Sequence, residues 1–579
     1  MNYFLVQPNI TEVDRKLIIK WMVHIIDSFD LSQYTLHLSI ILLDKYLSVQ
    51  LIEAKNFKAV AVTCIVLASK IEEQESIGIG AVINICDNMY STDELINMEL
   101  DILNKLNYNM YHQTICNHID IIQVQKNIDD SDCELCYLMA IIILTTIDYM
   151  FVEPQLMAKK IIEFGLLLGK YKTNISTLSR GSSSQAIDKL TLSESVHKLQ
   201  NMIDSDCLFA YLFFHLQKIF IDPDKILTDI INSCSVEYLE LEKYHYNFHS
   251  DISCEDNYIL AVRNKYHLND NYNDPTDLDL RLKKNIFTKE SIKESNIICK
   301  LGEGTFGKVD KVVLDGQVIA LKKIRDKLYE QGIDENFLRE INSLCILNHD
   351  SITKMIGFYY DPMDEKMLIG LELMDCTLEL YYYRKPIYKS VKIRFILQLL
   401  RGLEYMHSKN IMHRDISITN ILISCDDQLK ISDLGSSRYF HHEYFCPDFS
   451  TLVCALDYRA IEILLGEVPY SSKIDVWSCA CVIVFMLIER KLFISNDEKE
   501  IIDKIFRVFG TPHDNFNKNV CSWPLFEASD HHEGYGLLRI EDEYPKQVSI
   551  LYKMFEYEPD NRITMAKALR LFDKSFQVK

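Results

Sequence analysis

A polar octet, His413-Arg414-Asp415-Ile416-Ser417-Ile418-Thr419-Asn420, lies between two apolar stretches and constrains the fold more than any other segment. Upstream, Ile396, Leu399, Leu400, Leu403 and Met406 recur at helical spacing, which predicts a buried helix leading into it. Downstream, Ile421, Leu422 and Ile423, the pair Asp426-Asp427, then Leu429 and Ile431 predict a hairpin that returns the chain to Asp433. A loop held between a helix and a hairpin is rigid, and this one presents a carboxylate, a guanidinium and an amide.

A second signature stands about a hundred residues earlier, Leu301-Gly302-Glu303-Gly304-Thr305-Phe306-Gly307-Lys308-Val309. Such glycines also open dinucleotide-binding turns, but there a helix follows. Here β-type residues follow, and Lys322 of the strand Val318-Ile319-Ala320-Leu321-Lys322 comes 15 residues after Gly307, which is the protein kinase arrangement. Glycines let the backbone approach phosphates, and Lys322 brings a point charge to them. Phe337, Leu338, Ile341, Leu344 and Leu347 define a helix whose Glu340 is placed to pair with Lys322.

In this order the motifs predict an α+β bilobal protein kinase fold over 293–579, with an N-lobe to about 373 and a C-lobe from about 374. ATP would lie under the glycine loop, against Ala320, Leu422 and the hinge Leu371-Glu372-Leu373-Met374. Asp415 would accept the proton of a substrate hydroxyl. Asn420 and the aspartate of Asp433-Leu434-Gly435 would hold magnesium.

The second half of the chain resembles the cyclin-dependent kinases over 296–575, through VIALKKIR at 318–325, LREI at 338–341, YRAIEILLG at 458–466, DVWS at 475–478 and FGTP at 509–512. The resemblance implies that Arg339, Arg414 and Arg438 gather around a phosphorylated activation-segment residue aligned with Ser450. It also implies a structural ion pair between Glu462 and Arg562. Three clustered guanidiniums repel one another until a phosphate joins them. The chain departs from the family at several points: Ser417 replaces the catalytic-loop lysine, and Ala455 the threonine that bonds to it. Asp457 and Ile461 replace a tryptophan and a proline beside the substrate pocket, leaving Arg459 as the support for Ser/Thr-Pro specificity. Phe306 stands where the family carries an inhibitory tyrosine, while Thr305 remains.

The first half is helical throughout. Leu17, Ile18, Trp21, Met22, Ile25, Ile26 and Phe29 form one stripe from Asp14. Leu36, Leu38, Ile41, Leu42 and Tyr46 form another, Ala59 to Ser69 is apolar nearly all round, and Thr92 to Leu106 is amphipathic. Residues 1–112 resemble the cyclin box, through Arg15 with Trp21, YTLHLSIILLDKYLS with Asp44, LASKIEE at 67–73 and INMELDILNKL at 96–106. The resemblance implies a salt bridge between Arg15 and Asp44, and an interface with a kinase regulatory helix at Lys70 and Glu99. Asp14 replaces a methionine that opens a substrate-docking patch in many cyclins. Residues 113–270 resemble a second, weaker cyclin-fold repeat with a Ser-rich insert at 176–188, and 271–292 reads as a linker. A flexible tether of this kind typically gives an effective concentration near millimolar, on the order of a thousand times a ~1 μM dissociation constant.

Composition adds exclusions. A formal charge of -21 argues against direct nucleic-acid binding, and the 17 cysteines lack a paired metal or disulfide spacing, Cys133 and Cys136 forming one isolated pair. The apolar runs 137–147 and 479–488 are too short for a membrane span, and the start lacks a signal-peptide pattern. These features predict an intracellular protein, cytoplasmic or nuclear, that acts on protein substrates. They fit a cyclin-dependent-type Ser/Thr kinase with its cyclin in cis, using ATP and Mg2+. The alternative is a weak or inactive kinase domain in a cyclin-based scaffold that binds a separate kinase or cyclin.

Overall fold

Thr11, Ser32 and Ser91 each start a helix by accepting the backbone N–H three residues on. Thr11 with Asp14 and Ser91 with Glu94 complete reciprocal capping boxes. Asp14, at the position of the absent docking methionine, thus has a local task. The computed structural model describes residues 7–86, 89–126, 128, 130–144, 153–163, 165–166, 286–304, 307–324, 332–361, 366–384, 386–440, 454–467, 470–512, 520–526 and 531–576. The chain divides into two compact units, one of Met1–Ile65 with His112–Asp274, the other of Val66–Tyr111 with Pro275–Lys579.

The helices of the first half are α1 (Glu12–Ser28), α2 (Gln33–Val49), α3 (Phe57–Glu72), α4 (Ile79–Ile85), α5 (Thr92–Lys105), α6 (Ile115–Lys126) and α7 (Asp130–Leu144). Helix α4 is two turns long, too short for periodicity to reveal it. In the first unit, Arg15 and Asp44 form the expected buried ion pair between α1 and α2, at 2.8 Å. Tyr34 and Tyr137 donate to the Asp120 carboxylate at 2.9 and 2.5 Å, so one acid joins α2, α6 and α7. Leu17, placed in the α1 stripe by spacing, is 60% exposed and belongs to no core. Cys133 and Cys136 are buried. The Ser-rich insert and residues 167–270 of the expected second repeat lie outside the described residues.

The second unit opens its kinase half with α8 (Lys289–Lys293), β1 (Asn296–Gly304), β2 (Gly307–Leu314), β3 (Gln317–Ile324), α9 (Glu335–Ile346), β4 (Met355–Asp361) and β5 (Lys366–Leu371). The strands form an antiparallel sheet in the order β1-β2-β3-β5-β4. Next come β6 (Cys376–Thr377), α10 (Leu378–Arg384), α11 (Lys389–Ser408), β7 (Ile411–Met412), β8 (Ile421–Ile423), β9 (Leu429–Ile431), β10 (Arg438–Tyr439), α12 (Ile461–Leu464), α13 (Lys473–Ile488) and α14 (Glu498–Phe509). Helix α11 and the antiparallel pair β8 and β9 are the expected helix and hairpin around the octet. Helix α13 contains the 479–488 run and is buried on all sides, with Trp477 at its centre. Among the described residues, no helix is long and apolar enough to cross a membrane.

Of the expected linker 271–292, residues 271–285 lie outside the described residues; Ile286 bridges to Phe358 of β4 and α8 follows directly.

Candidate active site

The loop at 413–420 is fixed from behind by Asp475 of α13. Its fully buried carboxylate accepts the His413 and Arg414 N–H groups at 2.8 and 2.9 Å and meets His407 Nε2 at 2.9 Å. Burial alone would raise this carboxyl; the His407 hydrogen bond and charge, with His413, outweigh it and hold its pKa below the ordinary value. The chain turns sharply at Arg414, φ 64°, and brings out Asp415. Asp415 Oδ2 accepts Asn420 Nδ2 at 2.7 Å and Oδ1 accepts the Ala455 N–H at 3.2 Å. With its nitrogen committed, Asn420 offers its amide oxygen to a cation.

Lys322 on β3 reaches both oxygens of Glu340 on α9, at 2.9 and 2.8 Å, and Asp433 Oδ1 at 2.7 Å. Burial pushes the lysine down, but the two carboxylates outweigh it, so the ammonium stays charged. For Asp433 burial works upward and Lys322 downward, and the lysine prevails. Asp433, with φ 61°, and Asn420 supply hard oxygen donors, a set that suits a small divalent cation completed by phosphate and water.

Leu301 lies at a register irregularity of β1, and Gly302, Glu303 and Gly304 after it pair with Val309, Lys308 and Gly307 of β2. A Cβ at Gly307 would lie 2.1 Å from the Lys323 carbonyl oxygen, so only glycine closes this turn. Thr305 and Phe306 are outside the described residues. Ala320 is paired with Leu371, which leads into the hinge. There the Glu372 side chain accepts the Lys354 N–H and Lys430 Nζ, both at 2.7 Å, while its own N–H donates to the Lys354 carbonyl at 3.0 Å. Leu422 sits half-buried on β8.

Lys70 and Glu99 also come together. Lys70 Nζ is 2.5 Å from Glu99 Oε1, both side chains are buried, and Glu99 Oε2 accepts the Ile333 N–H at 2.9 Å, just before α9. Asn342 of α9 accepts the Met110 N–H at 2.9 Å, and the Tyr108 ring meets Phe358 edge-on at 4.7 Å. At the end of α3, the Glu73 carbonyl accepts Arg339 at 3.1 Å, and the Ile71 and Glu73 carbonyls both accept Arg438. Arg414 donates instead to the Ser436 carbonyl at 2.8 Å and Tyr470 at 3.0 Å. Burial, with repulsion from Arg414, pushes Arg339 down to about 10 against the pull of Glu335. Arg438 is pushed well below its ordinary value by burial and both arginines. The Nε atoms of Arg339 and Arg438 find no partner among the described residues, and Ser450 lies outside them.

The departures are equally concrete. Ser417, at the position where the resembled family carries a lysine, is buried and bonds Thr419 at 2.8 Å. Asp457 is held by Lys491 at 2.9 Å. Cys454, with φ 64°, points its carbonyl to Arg459 Nη2 at 3.1 Å. Glu462 and Arg562 form the expected buried pair, doubly bonded at 2.7 and 2.8 Å.

The protein kinase domain profile matches residues 295–571, and the cyclin N-terminal domain profile matches residues 1–111. A candidate serine/threonine-protein kinase of Acanthamoeba polyphaga mimivirus is 31% identical over 98% of both chains. The chain belongs to the protein kinase family and carries an N-terminal cyclin domain. A second mimivirus candidate serine/threonine-protein kinase is 30% identical to this kinase over all of it and 96% of the relative. Cyclin-dependent kinase D-1 of Arabidopsis thaliana is 34% identical over 47% of the kinase and 68% of the plant protein. A protein serine/threonine kinase that uses ATP and a divalent metal follows from these matches and from the residues above.

Sequence reasoning missed Asn342, Met110, Gly332 and the Ile71 and Glu73 carbonyls. Gly332 has φ 70°, and a Cβ there would lie 2.1 Å from Glu99 Oε2. Backbone groups carry no residue-type signal, so only the apolar-to-polar switch at the end of α3 hinted at the carbonyls.

Proposed function

We propose that this kinase is activated in cis by its own cyclin segment and phosphorylates serine or threonine followed by proline. The observation that carries the reading is the grip of Glu99 on the entry to α9, the helix whose Glu340 holds Lys322. A helix positioned from outside sets the lysine toward the ATP phosphates, and positioning is most of phosphoryl-transfer catalysis.

Asp415 accepts the proton as the substrate hydroxyl oxygen bonds to the γ-phosphorus and the bond to the ADP oxygen breaks. Magnesium, held by Asp433 and Asn420, would neutralise phosphate charge. The proline preference is supported by Cys454: its carbonyl, beside the catalytic loop, is already taken by Arg459. A following residue with an N–H gains no acceptor there, whereas proline has no N–H to leave unpaired. Phosphate on Ser450 would supply acceptors for the orphan Nε groups of Arg339 and Arg438.

Ser417 favours a second reading, a weak transferase that serves as a scaffold, because the octet has no cation at that position. Purified full-length protein, given ATP, magnesium and Ser-Pro or Ser-Ala peptides, decides between them. Transfer to the Ser-Pro peptide that disappears in Asp415→Asn supports the first reading. Absence of transfer, with capture of a separate kinase, supports the second. Full activity of the kinase half without residues 1–111 would refute activation in cis.

A further inference from the structure

The segment just before β1, expected to be tether, lies on the outer face of the N-lobe sheet. Strand β4 is an edge, and the segment pairs with it: Ile286 bridges to Phe358, and the Phe287 N–H donates to the Phe358 carbonyl at 2.8 Å. Thr288 caps α8, and Lys289 bonds Asp361 at 3.1 Å, so the segment is held on both sides of Phe287. The Phe287 and Ile292 side chains pack over Val312, Leu314 and Ile319, which are at most 3% exposed.

Behind β5 the ring meets a residue with no side chain. An ideal Cβ on Gly370 would lie 2.7 Å from Phe287 Cε2 and Cζ, so any side chain at 370 would claim the space the ring occupies. Gly370 is paired with Leu321 and precedes Leu371, which is paired with Ala320. Because side chains alternate across a strand, Ile319, Leu321 and Gly370 face Phe287, while Ala320, Lys322 and Leu371 face the nucleotide side.

We infer that Phe287 is a positioning residue of the nucleotide site. It stands in for the side chain that Gly370 lacks, and it sets the height of β3 and β5, hence of Lys322, Ala320 and the hinge entry, from the opposite face. A packed layer transmits such a displacement because it does not deform freely. The inference rests on the kinase reading for what the inner face binds.

The test uses the full-length chain, with the dissociation constant of MgATP from equilibrium titration, KM for ATP, kcat and the melting temperature. Phe287→Ala should weaken MgATP about 10-fold, equivalent to ~1.4 kcal/mol, and raise KM for ATP in parallel. Gly370→Val added to Phe287→Ala supplies the missing bulk from β5 itself and should recover most of the affinity. A lower melting temperature with unchanged affinity would make Phe287 a mere cover and overturn the inference. So would affinity that stays lost when Gly370→Val restores melting. Should Phe287→Ala not fold, Phe287→Leu gives a graded loss in the same constant, and no loss there overturns it. Wild-type protein that binds MgATP without phosphate transfer would refute the activity reading alone, since the affinity comparison still decides the role of Phe287.

Discussion

Glu99 accepts the backbone N–H of Ile333 at 2.9 Å, one residue before the cap of the helix that carries Glu340. The contact requires Gly332, whose φ of 70° and absent Cβ let the carboxylate come close. A side chain there is strained by about 1–3 kcal/mol and also pushes Glu99 away. Gly332→Ala should therefore lower kcat/KM at least about tenfold while leaving Asp415 and its partners in place. Measured phosphate transfer that is unchanged in Gly332→Ala would separate this grip from activation.

Ser417 and Ala455 replace residues of one hydrogen-bond network, so they should be restored together. A preorganised donor at the transition state is commonly worth about 10²–10³ in rate. The double variant Ser417→Lys/Ala455→Thr should raise kcat by about 10²-fold with little change in KM for ATP. No gain would mean that this chain stabilises the transferring phosphoryl group by other means.

The Glu340 carboxyl is pushed up to about 7, first by burial, with Asp433 adding to it and Lys322 opposing. Protonation removes one arm of the Lys322 grip, so MgATP affinity should fall as pH falls through about 7. The stability contribution of this group runs the other way. Its folded pKa exceeds the ordinary 4.5, so the contribution is complete below that value and is lost as pH rises through about 7. Asp433, held low, contributes above its ordinary 3.8 and loses that only in more acid solution. Glu340→Gln should flatten both profiles near neutrality; a titration unchanged by that substitution would assign the midpoint elsewhere.

What could be read from the sequence were the side chains whose chemistry needs a fixed type at a fixed spacing. Lys322 meets Glu340 and Asp433, Asp415 meets Asn420, and the pairs Arg15 with Asp44 and Glu462 with Arg562 form as the family resemblance implied. The rest depends on backbone groups or on absent atoms. The Ile71 and Glu73 carbonyls, the Ile333 N–H and the empty side of Gly370 look the same in any sequence. Leu17 shows the converse: helical spacing gave it a face, but nothing covers that part of α1 among the described residues.

Arg562 forks onto both oxygens of Glu462, and both are almost fully buried. Breaking one side of such a pair typically costs about 3–5 kcal/mol, because the other charge is left uncompensated. Arg562→Ala should lower the unfolding midpoint accordingly in denaturant titrations. Arg562→Lys should recover only part of it, since an ammonium cannot reproduce the two parallel bonds. A Lys variant as stable as wild type would show that the fork geometry is not what matters.

Arg459 occupies the Cys454 carbonyl at 3.1 Å and also bonds Glu498 at 2.5 Å, so it is anchored from α14 as well as from the activation segment. Removing the guanidinium frees the carbonyl as an acceptor for a substrate N–H, which proline cannot offer and alanine can. A neutral hydrogen bond is typically worth about 0.5–1.5 kcal/mol, so the Ser-Pro to Ser-Ala ratio of kcat/KM should fall about 3- to 10-fold in Arg459→Ala. Glu498→Gln keeps an acceptor for Arg459 and should leave the ratio near wild type. A ratio unmoved by Arg459→Ala, or moved equally by Glu498→Gln, would overturn the proposed backbone origin of a proline preference.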